Sequence, residues 1–86
     1  MTTLDLLYFA WVREGIGRDG ETREFDGTVQ TVGDVVRTLR EDGGGYAETL
    51  ADTERLRFAL DQIFVEEDAA IAGAKELGIF PPVTGG

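Results

Sequence analysis

Apolar positions fall along this chain in two rhythms, one of period two and one close to 3.6. Thr3 to Phe9 is rich in Leu and aromatic residues and bounded by polar Thr, which predicts a first strand. Ala10 to Gly15 holds good helix formers with a glycine stop, enough for one helical turn. Arg18-Asp19-Gly20 signals a turn, and Glu21 to Phe25 reads as a second strand. The polar residues Glu21, Arg23 and Asp26 predict that this is an edge strand with solvent on one side.

The helical rhythm is clearest after Thr31. Val32, Val35, Val36 and Leu39 stand at i, i+3, i+4 and i+7, so they form one apolar stripe. Thr31 can cap this helix, Asp34 suits its positive end, and Arg37 and Arg40 suit its negative end. Gly43, Gly44 and Gly45 should end it. Tyr46 to Leu50 then predicts a short helical turn that packs Tyr46 and Leu50 back onto the body.

Period two returns with Leu56, Phe58 and Leu60, which alternate with Arg57, Ala59 and Asp61. Asp61-Gln62 is a tight-turn signal, and Ile63 to Val65 would return as a short strand. Glu66-Glu67-Asp68 breaks the pattern, Ala69 to Ala74 links onward with Gly73 at its bend, and Glu76 to Phe80 is the last strand. Pro81 and Pro82 stop it because proline donates no ladder hydrogen bond. This order predicts an α+β domain over residues 1–80, a mixed sheet with one long helix across a single face. The β-grasp arrangement has this order, though the pattern alone does not separate it from other α+β folds, and residues 81–86 form an extended tail.

Side-chain parity then divides the sheet. If the helix covers Leu4, Leu6, Ile63, Val65, Leu77 and Ile79, the rings of Phe9, Phe64 and Phe80 point to the opposite face. Three aromatics close to the tail predict an exposed apolar patch of the kind that marks an interface. Trp11 reads as a packing anchor, Arg13 and Glu14 as a surface pair, and Lys75 as a turn residue.

Composition narrows the chemistry. The 86 residues are 42% hydrophobic and 29% charged, a globular balance, and no apolar run approaches the length of a bilayer span. No basic, apolar leader opens the chain, so a cytoplasmic location is expected. The 17 acidic residues against 8 basic give a net charge of −9, which disfavours nucleic acid; it reads first as solubility, and it would also steer the chain toward a basic partner face. Cys, His, Ser and Asn are absent. Without thiol or imidazole there is no soft metal ligand and no ready nucleophile or base, so a self-sufficient active site is not expected.

The final segment fits a different role. Pro81 and Pro82 favour an extended conformation, and the six residues Pro81 to Gly86 reach at most roughly 20 Å. Gly85 and Gly86 carry no side chain and can thread a narrow channel, presenting a bare carboxylate that other enzymes can activate. Gly-Gly alone is weak, since 12 glycines in 86 residues would put two at the end about once in fifty shuffles, against average usage near 7%. Joined to the diproline and the missing side-chain chemistry, it becomes specific.

The string Phe80-Pro81-Pro82-Val83-Thr84-Gly85-Gly86 resembles the tail of the small, sulfur-carrying subunits of molybdopterin synthase, members of the ubiquitin-like β-grasp proteins. The run Tyr8-Phe9-Ala10-Trp11-Val12-Arg13-Glu14 and the helix start Thr31-Val32 resemble the same family. The resemblance implies that Gly86 is adenylated by a ubiquitin-activating-like adenylyltransferase using ATP and Mg²⁺, then converted to a thiocarboxylate by a sulfur donor protein. It implies that Pro81, Pro82, Val83, Thr84 and Gly85 insert into the large synthase subunit. There the sulfur passes to cyclic pyranopterin monophosphate in molybdenum cofactor biosynthesis. The carrier itself would bind no cofactor and catalyse nothing alone. A sulfur carrier for thiamine, cysteine or tRNA thiolation, a ubiquitin-like modifier of lysines, and a plain interaction module are the alternatives, in that order.

Overall fold

The structure, a computed structural model, describes residues 1–82. The strands are β1 (Thr2–Tyr8), β2 (Gly20–Phe25), β3 (Arg57–Leu60), β4 (Ile63–Val65) and β5 (Glu76–Phe80). The helices are α1 (Ala10–Ile16), α2 (Val32–Arg40) and α3 (Gly44–Thr49), with a 3-10 turn at Thr53–Arg55. One five-stranded sheet has the order β2-β1-β5-β3-β4. The first and last strands, β1 and β5, run parallel at its centre, and every other pairing is antiparallel. This is the mixed sheet of a β-grasp, and the α+β expectation holds.

The core forms where the two rhythms meet. Val32, Val35, Val36 and Leu39 of α2 are buried against Leu4, Leu6 and Tyr8 of β1, Phe58 of β3 and Leu77 and Ile79 of β5. Val12 of α1 and Leu50 after α3 join the same cluster. Each Leu or Val withdrawn fully from water contributes about 1.5–3 kcal/mol before chain entropy is charged against it. Thr31 and Asp34 form a reciprocal capping box that fixes where α2 begins. Ile71, in the segment read as a linker, is almost fully buried, and Ala70 bridges to Thr31.

Several local expectations are corrected. The first helix runs two turns rather than one and stops at Gly17, which takes φ of +92° and returns its N–H to the Arg13 carbonyl. Gly15 instead lies inside α1, where its bare backbone lets α3 approach: a Cβ on Gly45 would sit 2.3 Å from the Gly15 carbonyl oxygen. The glycine run does not simply end α2, since Gly44 and Gly45 open α3. Ile63 shares the helix-side register, opposite Leu60, yet remains 68% exposed because β4 is an edge beyond the reach of α2.

The edge strand β2 is corrected in orientation as well. Glu21 pairs with Leu6 and Arg23 with Leu4, so both lie on the helix side rather than facing solvent. Glu21 accepts hydrogen bonds from the hydroxyls of Tyr8 and Tyr46 and from Arg23, and Arg23 also reaches Asp42. The polar pattern was real, but α3 covers it with Tyr46 and turns it into a tether.

Candidate partner interface and tail root

The aromatic residues singled out by parity do converge. Phe9 and Phe80 stack with ring centroids 4.2 Å apart, and Phe64 leans on Phe80 at 5.5 Å. All three stand on the face opposite α2, as the strand registers require. Phe64 is 64% exposed and Phe9 37%, so the cluster is open to a partner rather than a second core.

Local backbone explains why the rings lie so flat. Gly78 sits beneath them, and a Cβ there would come within 2.8 Å of the Phe80 ring and 3.4 Å of the Phe9 ring. A bare backbone at that position leaves space for the stack. At Ala10 the chain takes φ of +52°, a left-handed turn unusual for a residue with a side chain. That turn lets Phe9 stay on the outer face while Val12, two residues into α1, enters the core.

The tail leaves from this patch. The β5–β3 ladder ends at the pair Arg57 and Phe80, and Pro81 and Pro82 come next with no regular structure. Four of the predicted tail residues, Val83, Thr84, Gly85 and Gly86, lie outside the described residues. The three aromatics and the diproline are therefore brought together at one end of one face.

Other sequence expectations divide. Trp11, read as a packing anchor, lies outside the buried core at 36% exposed, with Arg55 over its ring at 5.7 Å. Arg13 and Glu14 are both exposed and make no ion pair among the described residues. Adjacent helix positions point about 100° apart, which explains why they do not meet. Lys75 is exposed in its turn, and its backbone N–H donates to Asp61. That carboxylate also accepts from Glu76 N–H, and Asp61 and Gln62 both take positive φ, so the late hairpin is stapled to β5 by its own turn residue.

The titratable groups with altered affinity lie away from the aromatic face. Burial works to raise the Glu21 carboxyl, but hydrogen bonds from Tyr46, Tyr8 and Arg23 outweigh it and hold the group below its usual range. Burial and the Glu21 carboxylate push the Tyr8 and Tyr46 hydroxyls upward. These three shifts belong to the tether that fixes α3, whereas hydrogen bonds from Thr28 lower the Asp26 carboxyl and those from the backbone of Gln30 and Thr31 lower that of Asp34. Among the described residues no three His, Cys, Asp or Glu side chains are grouped to hold a metal, and no helix is long and apolar enough to cross a membrane.

Comparison with known proteins agrees with this geometry. A model of the ThiS family matches residues 6–86. The chain is 35% identical over 83 residues to the molybdopterin synthase sulfur carrier subunit of Haemophilus influenzae, covering 96% of this chain and 99% of that protein. The crystal structure of SAMP1 from Haloferax volcanii superposes with a TM-score of 0.73 at 24% identity, covering 99% of this chain and 100% of that one. The solution structure of the HVO 2177 protein, also from Haloferax volcanii, gives 0.72 at 30% identity over 99% of this chain and 87% of that one. Family match, whole-length identity and shared ubiquitin-like fold agree: the chain belongs to the ThiS family.

Proposed function

We propose that this protein is the sulfur-carrier subunit of a molybdopterin synthase and that Gly86 bears the sulfur as a C-terminal thiocarboxylate. The observation that carries the reading is the 35% identity to a protein of that name over almost the full length of both chains. The aromatic patch at the root of the diproline segment supports it, because a carrier must dock by its body while its end reaches elsewhere.

The chemistry is set by the weakness of a free carboxylate as an electrophile. One oxygen of Gly86 attacks the α-phosphorus of ATP on an activating enzyme, pyrophosphate leaves, and an acyl-adenylate forms. The outer sulfur of a donor-protein persulfide attacks the acyl carbon and AMP departs; a thiol then cleaves the S–S bond, forming a disulfide with the donor and leaving Gly86 with sulfur in place of one oxygen. The thiocarboxylate then enters the pocket of the large subunit, its sulfur attacks cyclic pyranopterin monophosphate, and water cleaves the resulting thioester so that the sulfur stays on the pterin and Gly86 leaves as a carboxylate. Two such transfers supply the dithiolene of molybdopterin. Here Pro81 to Gly85 are the reach, and Phe9, Phe64 and Phe80 are the body's contact with the partner. The carrier supplies covalent sulfur, the partner supplies the catalytic pocket, and both work in the cytoplasm.

Reconstitution tests the pathway. Thiocarboxylated chain mixed with the large subunit and cyclic pyranopterin monophosphate should yield molybdopterin, whereas the chain lacking Gly86 should yield none. Sulfur loading without product would point to another thiolation pathway, and isopeptide conjugates on target lysines would point to a modifier.

A further inference from the structure

The outer face of the sheet, where the aromatic patch lies, is also divided by charge. Strand register puts Asp5 of β1, Glu24 of β2 and Glu76 of β5 on this face, with Asp5 directly paired to Glu76. At the other end of β5, Arg57 of β3 is the cross-strand partner of Phe80. Arg57 is the one cation that the described strand residues contribute to this face. Glu76 and Phe80 are four residues apart, so the acidic and basic poles are separated by about 13 Å at the usual strand rise. Gly78 and the Phe9–Phe80 stack lie between them.

Arg57 is held ready rather than neutralised. Its guanidinium donates to the backbone carbonyls of Leu56 at 2.9 Å and Glu54 at 3.3 Å. No carboxylate among the described residues lies within ion-pair distance of it, in a chain with 17 acidic residues. Arg18, Arg23 and Arg37 have carboxylate partners, whereas Arg13, Arg40 and Arg55, like Arg57, have none among the described residues; of these four only Arg57 stands on the outer face of the sheet. A guanidinium pinned by carbonyls keeps further donors for an incoming carboxylate and loses little freedom when it binds one.

We propose that this face docks a protein surface with an apolar centre, a carboxylate opposite Arg57 and basic side chains opposite Asp5, Glu24 and Glu76. The poles set the docking direction, because a partner reversed end for end would face like charges on both sides of the patch. Direction matters because the chain leaves the sheet beside the Arg57 pole, so the correct orientation sends the segment from Pro81 to Gly86 toward the partner's pocket. The inference rests on the proposed function, which makes the large synthase subunit that partner.

Binding of the large subunit from the same organism, measured by surface plasmon resonance at two salt concentrations, tests it. Arg57→Glu should weaken binding about tenfold or more, as should Glu76→Lys at the opposite pole, with both effects smaller at high salt. Arg37→Glu, on α2 away from this face, makes the same change in net charge as Arg57→Glu and should stay within about twofold. Circular dichroism establishes that each variant is folded, and the Glu76→Lys arm stands independently if Arg57→Glu is not. Wild-type binding with Arg57→Glu and Glu76→Lys no weaker than Arg37→Glu would overturn the poles while leaving the carrier reading intact. Failure of the wild-type chain to bind the large subunit would overturn both.

Discussion

Phe9 and Phe80 stack with planes 2° from parallel, and the stack rests over the bare backbone of Gly78. Stability needs nothing from that arrangement that an ordinary strand residue could not supply, but a flat aromatic platform does. Gly78→Ala should lift the rings, and because ring edges can shift, the loss of stability should stay within about 1.5 kcal/mol, the scale of one aromatic pair. Affinity for the large subunit should fall several-fold. Thermal melts beside a binding titration separate the two effects; intact affinity in a variant with displaced rings would remove the platform from the interface.

Placing a charge on the patch is the blunter test. Phe64 is 64% exposed and Phe80 lies on the same face, so Phe64→Asp and Phe80→Asp should remain folded. For Phe64→Asp the change in stability should be within about 0.5 kcal/mol, as for surface sites generally. Binding of the large subunit should drop sharply in both: Phe64→Asp would bury a carboxylate without a partner, and Phe80→Asp would remove a ring of the platform and occupy Arg57, its cross-strand neighbour. Unchanged affinity in pull-down or calorimetry would move the interface elsewhere.

The Glu21 tether makes a prediction about pH. Its carboxyl is held below the usual range in the folded protein, so its ionised form stabilises the fold above the ordinary carboxylate pKa. That contribution is lost as pH falls from the unfolded value through the lowered folded one. Tyr8 and Tyr46 donate to one oxygen of Glu21 and Arg23 to the other, so Glu21→Gln, which removes the charge and turns one of these acceptors into an amide donor, should cost about 1–3 kcal/mol at neutral pH. Urea melts at neutral and acid pH should show the variant losing less stability on acidification than the wild type.

Helix packing supplies a third kind of test. A Cβ on Gly45 would meet the Gly15 carbonyl oxygen at 2.3 Å, and backbone cannot swing aside as a side chain can. Gly45→Ala should therefore destabilise by about 1–3 kcal/mol, the usual cost of overpacking. Gly27→Ala, with nothing within 4 Å of its Cβ, serves as the control and should be near neutral or slightly stabilising. Equal melting temperatures would mean that α1 and α3 do not pack as described.

Much of this fold was legible because periodicity is a direct consequence of burial. Val32, Val35, Val36 and Leu39 had to face one way, and so did Leu4 and Leu6; strand parity then carried Phe9, Phe64 and Phe80 to the far face. Features that escaped depended on partners distant in sequence. Glu21 looks like a solvent residue until Tyr46, 25 positions later, is laid over it. Gly15 looks like a stop until α3 presses against it, and Ile71 looks like linker until Thr31 pairs with its neighbour Ala70. The aromatic face was readable from alternation, whereas the isolation of Arg57 required the pairing of β3 with β5.

Gly86 is where the proposed chemistry begins, and the most direct measurement is the intact mass of the chain after incubation with its activating enzyme, Mg-ATP and a sulfur source. The expected result is a gain equal to replacing one oxygen by sulfur, present in the full chain and absent from a chain lacking Gly86. No gain, under conditions in which the same enzyme converts an established carrier, would contradict a sulfur-carrying role for this protein.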